Sequence, residues 1–319
     1  MASGSKTVIY AALAGNALIS VTKFIASAIT GSAAMMAEGI HSLVDTGNQV
    51  LLLHGIKKAK APADARHPLG HGKEIYFWSF VVAILIFALG SGISLYEGWH
   101  RTMHPEPVEN PMVNFVVLGL AMAFEGVAWW LAYREFRAFQ GRRSLPAAIR
   151  AAKDPTTFVV LFEDTAAMLG LAVAAIGLGI SAGFDLPIFD GIASLGIGVI
   201  LALTAVYMAV RTKSLLIGEA AEPEIIEDVQ RRAGELESII AVNEVITLHM
   251  GPQFILLNLS VDFNDEVKAG EIEAGIERLT REIRAEHPDV KRVFVEAERG
   301  APSARAGEQA PSARSGDQE

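Results

Sequence analysis

The chain has 319 residues, of which 51% are hydrophobic and 20% charged, with a formal net charge of −9. The apolar excess is too large for an ordinary soluble enzyme and is confined to the first two-thirds, while the acidic last hundred residues argue against nucleic acid or an anionic lipid surface as partner. There is no cysteine, so disulfides and thiolate metal sites are excluded, and any metal must be held by His, Asp, Glu or backbone oxygen.

In chain order, Met1 to Lys6 is short and polar. The apolar run that follows ends without a small-residue cleavage pattern, so it reads as a retained first helix and not a signal peptide. Six apolar segments then succeed one another, over Thr7–Thr30, Ala33–Ile56, Ile75–Gly98, Met112–Tyr133, Thr157–Ala182 and Ile188–Arg211. Each is long enough to cross a hydrocarbon core of ~30 Å as a helix, and none shows the alternation of a barrel strand. Basic residues mark the loops after the second span (Lys57, Lys58, Lys60, Arg66, Lys73), the fourth (Arg134, Arg137, Arg142, Arg143, Arg150, Lys153) and the sixth (Arg211, Lys213). The intervening connections carry only Arg101. This alternation predicts a multi-pass membrane protein with both termini cytoplasmic. Trp99, Trp129 and Trp130 fall where interfacial anchors are expected.

After Ser214 the pattern changes. Glu222–Leu236 reads as an amphipathic helix with Pro223 in its first turn, Val242–Leu248 and Phe254–Phe263 as strands joined through Gly251-Pro252, Glu266–Glu286 as a helix and Val290–Ala297 as a third strand. The order α-β-β-α-β predicts a small α+β domain, its two helices on one face of a sheet. From Arg299 large aliphatic and aromatic residues vanish, and Ala301–Arg305 recurs as Ala310–Arg314, the composition of a disordered tail. The expected division is therefore a transmembrane domain over 1–213, a cytoplasmic domain over 214–298 and a tail over 299–319.

Chemistry concentrates in the second and fifth spans. His41 and Asp45 are four residues apart and share one helix face. An intramembrane carboxylate costs about 2.5–3.5 kcal/mol at a helix centre, so Asp45 needs compensation. A nitrogen and an oxygen at this spacing are half of a four-coordinate metal site, although a polar pair bonded to a neighbouring helix is the blander alternative. Glu163 and Asp164 lie adjacent in the fifth span, pointing about 100° apart, so that one of the two faces a given partner. Glu125 stands alone in the fourth span, as a protonated helix-bonding side chain or a group on a cation or proton path. Glu97 is expected to reach headgroup water, and Asp190 to serve as a charge at the N-terminus of the sixth helix. In the loop after the second span, Asp64, His67 and His71 lie among prolines and glycines that could turn them onto one ion; solvated surface histidines are the alternative. Glu296 and Glu298 share a strand face and read as solvated surface. The glycines of 177–179 and 191–198 fit close helix packing.

Six spans, His41-x-x-x-Asp45 in the second, carboxylates in the fifth and a small α/β cytoplasmic domain resemble the cation diffusion facilitator family of divalent metal/proton antiporters, mostly zinc transporters working as homodimers. The resemblance covers Lys6 to Arg299. It is most specific in Glu38-x-x-His41-Ser42-x-x-Asp45, in His67-x-x-x-His71-Gly72-Lys73 and in Asp190-Gly191-Ile192-Ala193. It implies a transport site with two ligands from the second span and two from the fifth. His41 and Asp45 match the first pair; Glu163 matches the third position, but Ala167 stands where an aspartate is usual. In this the chain is similar to a divergent branch that includes the zinc transporter nine group, and water or Asp164 is left to complete the site. The resemblance also makes Asp64, His67 and His71 a second metal site, and Lys73 with Glu219 a charged pair tying the two domains across the dimer.

These readings converge on export of a divalent cation, Zn2+ first, in exchange for protons, by a homodimer in a lipid bilayer, with a bacterial inner membrane as the expected location. Mn2+, Fe2+ or Co2+ are alternative cargoes, because imidazole and carboxylate do not exclude them. A metal-responsive membrane scaffold is an alternative of a different class. Neither HExxH, a P-loop nor a Ser/His pair is present to support an enzyme.

Overall fold

The computed structural model describes residues 3–299, so the tail expected at the C-terminus lies, from residue 300 onward, outside the described residues. The first part of the chain is helical: α1 (Ser3–Thr30), α2 (Ala33–Ala59), α3 (Glu74–Leu85), α4 (Gly92–Met103), α5 (Pro111–Gln140), α6 (Leu145–Ala151), α7 (Pro155–Phe184) and α8 (Ile188–Ile217). α3 and α4 are two parts of one long helix, Glu74–Met103, joined through a π-helical turn over Ile86–Ser91.

Four helices among the described residues are long and apolar enough to cross a membrane: Glu74–Met103, Pro111–Gln140, Phe158–Phe184 and Ile188–Ile217. α2 has the length, but Glu38, His41, Asp45 and Asn48 dilute its apolar character. The helices run past the apolar limits read from sequence, α2 through Lys57 and Lys58 and α5 through Arg134 and Arg137. Hydropathy marks only the apolar stretch, whereas long basic side chains allow a helix to continue into a polar layer. The short helix α6 and the π-helical turn had no sequence expectation.

Small residues set the helix spacing. A Cβ on Gly191 would lie 2.7 Å from the Thr102 nitrogen and one on Gly198 3.0 Å from that of Leu95, so α8 lies backbone to backbone on α4, as the glycine spacing led us to expect. Ser194 Oγ adds a bond to the Ser94 carbonyl at 3.0 Å. Asp190 lies in the first turn of α8, where a helix-end charge was expected, and its carboxylate also accepts from Ser32 Oγ (2.5 Å) and the Ala33 amide (2.5 Å), so that it serves the N-terminus of α2 as well. Trp129 also differs from the expected interfacial anchor: it is half-buried, well inside α5, and donates from Nε1 to Thr165 Oγ1 of α7 at 3.1 Å. Beyond α8, Glu219 accepts from Lys153 (2.6 Å) and Arg211 (2.9 Å), while Lys73 Nζ lies 3.4 Å from the Leu216 carbonyl. Burial works against the Glu219 carboxylate, but hydrogen bonds from Lys153 and Ser214 and the charges of Lys153 and Arg211 outweigh it and hold it below its ordinary range.

The chain divides into two compact units, the second beginning at Ala220. It contains α9 (Pro223–Gly234), β1 (Ile239–Gly251) as far as His249, β2 (Phe254–Phe263), α10 (Ala269–Glu286) and β3 (Val290–Ala297), in the expected α-β-β-α-β order. The sheet order is β1-β2-β3, with β2 and β3 parallel and Leu257 opposite Val293. A parallel pair needs a crossover, which α10 provides. Ile255, Leu257, Leu259 and Val261 alternate along β2 and form one core with Val229 and Ala233 of α9 and Leu279 and Ile283 of α10. Asp228 of α9 gathers Arg231, Arg232 (Nε at 2.7 Å) and His287 (Nε2 at 2.8 Å).

Candidate metal sites

α2 carries a polar stripe. Glu38, His41, Ser42, Asp45 and Asn48 recur three and four residues apart, so they share one helix face, and all five are buried. His41 Nδ1 lies 3.4 Å from Asp45 Oδ1, one turn along. Neither imidazole nitrogen of His41 makes a hydrogen bond, nor does Asp45 Oδ1, and each of these atoms is buried. Buried polar atoms are almost always paired, because an unpaired one costs about 1–3 kcal/mol. One imidazole nitrogen and one carboxylate oxygen left open a turn apart therefore form a pair of ligand atoms suited to a cation.

Glu163 reaches this stripe from α7. Glu163 is buried and accepts from Asn48 Nδ2 at 2.9 Å, which couples α7 to α2 one turn from Asp45. Asp164 is half-buried, and Ala167 is buried at the position where a further ligand was looked for. Glu125 is buried on α5. His41, Asp45 and Glu163 are not drawn together as tightly as a closed trio. Among the described residues, the one group of three His and carboxylate side chains whose ligand atoms all lie within 4.8 Å is Asp64, His67 and His71.

That second group is built by its loop. Asp64 Oδ1 accepts the amides of Arg66 (2.8 Å) and His67 (2.7 Å), fixing the turn, and Oδ2 lies 3.0 Å from His71 Nε2. Hydrogen bonds from the His67 amide, the His71 side chain and the Arg66 amide push the Asp64 carboxyl down to about 2. The Gly70 amide closes onto the His67 carbonyl at 2.9 Å with φ of 81°, a conformation that glycine adopts without strain. The His67 and His71 rings stand 4.3 Å apart.

Sequence reading passed over Lys23. It is fully buried in α1 and donates to Glu38 Oε2 (3.0 Å) and Ser42 Oγ (2.7 Å). A lone lysine inside an apolar run was the available signal. Glu97 is half-buried and lies 3.7 Å from Arg101. Glu298 is committed to Ser260 Oγ, at 2.9 Å, and through its carbonyl to Asn243.

A family model described as the cation efflux transmembrane domain matches residues 9–217, from α1 to the end of α8. The chain belongs to the cation efflux family. Within that family it is similar to the human proton-coupled zinc antiporter SLC30A9, mitochondrial, at 32% identity over 266 residues, 83% of this chain and 47% of the human protein. It is 30% identical over 265 residues to metal tolerance protein C4 of Arabidopsis thaliana, covering 82% of this chain and 58% of that one. Magnetosome protein MamB of a Magnetospira species is 23% identical over 279 residues, 86% of this chain and 88% of that protein. The chain thus spans about half the length of the curated zinc antiporters it matches. These relationships agree with the divergent branch of the family that the sequence resembled.

Proposed function

We propose that this cation efflux protein exports a divalent cation, Zn2+ first, in exchange for protons, through a site formed by His41, Asp45 and Glu163. The reading rests on one observation above others: both nitrogens of His41 and Oδ1 of Asp45 are buried on α2 and uncommitted. An imidazole with two carboxylates suits zinc, and three protein ligands plus water remain a competent zinc arrangement. The human relative's name, a proton-coupled zinc antiporter, supports both cargo and coupling. Without thiolates the same donors accept Mn2+, Fe2+ or Co2+, so affinity alone does not select zinc.

Proton coupling follows from the ligands themselves. A metal binds His41 only as neutral imidazole and Asp45 and Glu163 only as carboxylates, so proton and metal compete for the same atoms. Open to an acidic compartment, the site takes protons and expels the ion; open to the cytoplasm, it loses protons and accepts another. The Asn48–Glu163 bond provides a link through which α2 and α7 move together as access alternates. Asp164 stands by to enter the coordination sphere in place of water.

α1, α2, α3 with α4, α5, α7 and α8 are the six spans of this reading, with both termini in the cytoplasm. Asp64, His67 and His71 form a second, solvent-facing metal site. The unit from Ala220 onward is the dimerising part of a homodimer; Ile240, Ile246 and Phe294 stand exposed on its strands and favour burial against another surface. The expected bacterial inner membrane shares a proton gradient with the mitochondrial setting named for the human relative. The test is flux of Zn2+, Mn2+, Fe2+ and Co2+ by purified protein in sealed vesicles under an imposed pH gradient. Gradient-driven zinc movement is expected; a protein that binds zinc yet moves none of the four ions is a scaffold, and the reading is wrong.

A further inference from the structure

Glu38 lies three residues before His41 and seven before Asp45, on the same face of α2. Its side chain and that of Lys23 are both 0% exposed, and the two make an ion pair at 3.0 Å. Among the described residues no other lysine or arginine is buried to this degree. Glu38 Oε2 is taken by Lys23, but Oε1 is buried and makes no hydrogen bond. That free oxygen sits over Gly170 of α7, where any side chain would strike it. Lys23 also donates to Ser42 Oγ at 2.7 Å, and Ser42 is the residue next to His41.

A buried carboxylate one turn from His41, with an oxygen to spare, has the chemistry of a further hard ligand for a divalent ion. A transporter gains nothing from it, since each added anionic ligand slows departure of the ion. We propose that Lys23 is a resident cation that holds Glu38 out of the metal site, restricting the ligand set to His41, Asp45 and Glu163. With Glu38 matched by Lys23, the ligand carboxylates are Asp45 and Glu163, with Asp164 and buried Glu125 outside the ligand set. Lys23 is thus a positioning residue: it meets no metal but decides which carboxylate does. Gly170 completes the arrangement by leaving space for the Glu38 head group beside α7.

This inference rests on the transport site proposed above, and the experiment separates the two. Zn2+ affinity is measured by calorimetry, and zinc flux in proteoliposomes, for the full-length wild type, Lys23→Met, Glu38→Gln, the double variant and His41→Ala. Lys23→Met is expected to bind Zn2+ about tenfold more tightly and to turn over more slowly, and adding Glu38→Gln removes the gain. A folded Lys23→Met protein with no gain in affinity, or a gain that survives in the double variant, overturns the inference. Should Lys23→Met fail to fold, Lys23→Gln, which keeps a hydrogen-bond donor without the charge, takes its place: Zn2+ affinity is expected to rise about tenfold and to fall back when Glu38→Gln is added. A folded Lys23→Gln protein with unchanged affinity overturns the inference. Wild-type binding by His41→Ala overturns the transport site itself.

Discussion

At the scale of single residues, the proposed transport site depends as much on Ala167 as on His41, Asp45 and Glu163. In that proposal the alanine, buried on α7, leaves one coordination position to water or Asp164. Ala167→Asp is expected to add an anionic ligand, tightening Zn2+ at least about tenfold in calorimetry while slowing transport; unchanged affinity would show that position 167 does not face the ion. The loop trio makes a separate prediction. Hydrogen bonds within the loop push the Asp64 carboxyl down to about 2, so it meets a cation as a carboxylate. In a His41→Ala background, Asp64→Asn is expected to weaken Co2+ binding, read from the absorbance of the bound ion, by about tenfold. Unchanged Co2+ binding would mean that Asp64 is not a ligand. His41 and Asp45 were legible in the sequence because i, i+4 spacing on one helix needs no partner to be recognised. Lys23 was not paired with Glu38 in that reading, because their meeting depends on how α1 packs against α2. The Asn48–Glu163 bond was hidden for the same reason, with 115 residues between its ends.

Among the elements, α2 is the axis on which the others are hung. It begins at a cap supplied by Ser32 and by Asp190 of α8, carries the polar stripe through its middle and is held to α7 by Asn48. Asp190→Asn keeps an acceptor but removes the charge from the α2 N-terminus; a loss of about 1 kcal/mol in thermal unfolding is expected, whereas no change would leave the cap without energetic weight. The α4–α8 seam is less forgiving. Gly198→Leu must push apart two backbones in contact and should cost about 1–3 kcal/mol or more, read as a lowered melting temperature in detergent. A neutral substitution there would contradict the packing. Hydrophobic runs located these helices well but ended them too early, since the runs report apolar solvent rather than hydrogen bonding. They gave no warning of the π-helical turn over Ile86–Ser91, where apolar sequence is equally compatible with either helix.

For the whole molecule, the two units answer to different physics. The first part is stabilised by close helix packing and sparse buried polar links; the second has an ordinary sheet-and-helix core, fixed at its helices by Asp228. Burial works to raise the Asp228 carboxyl, but hydrogen bonds from Arg232, His287 and Arg231 outweigh it and hold it below the usual range. A depressed carboxylate contributes stability above its unfolded value near ~3.9, and that contribution is lost as pH falls through the folded one. Asp228→Asn should therefore lower the stability of this unit by about 1 kcal/mol at pH 7, with the difference from wild type shrinking in strong acid. A difference that grows in acid would reverse the sign of the argument. The α-β-β-α-β order was readable because period-2 and period-3.6 patterns alternate cleanly there. The central claim remains that metal and protons share one buried site. Coupled flux in proteoliposomes, acid inside and zinc outside, tests it most directly. Wild-type protein should accumulate zinc while the lumen loses protons, and Asp45→Ala should do neither; zinc accumulation by Asp45→Ala at the wild-type rate would contradict the account.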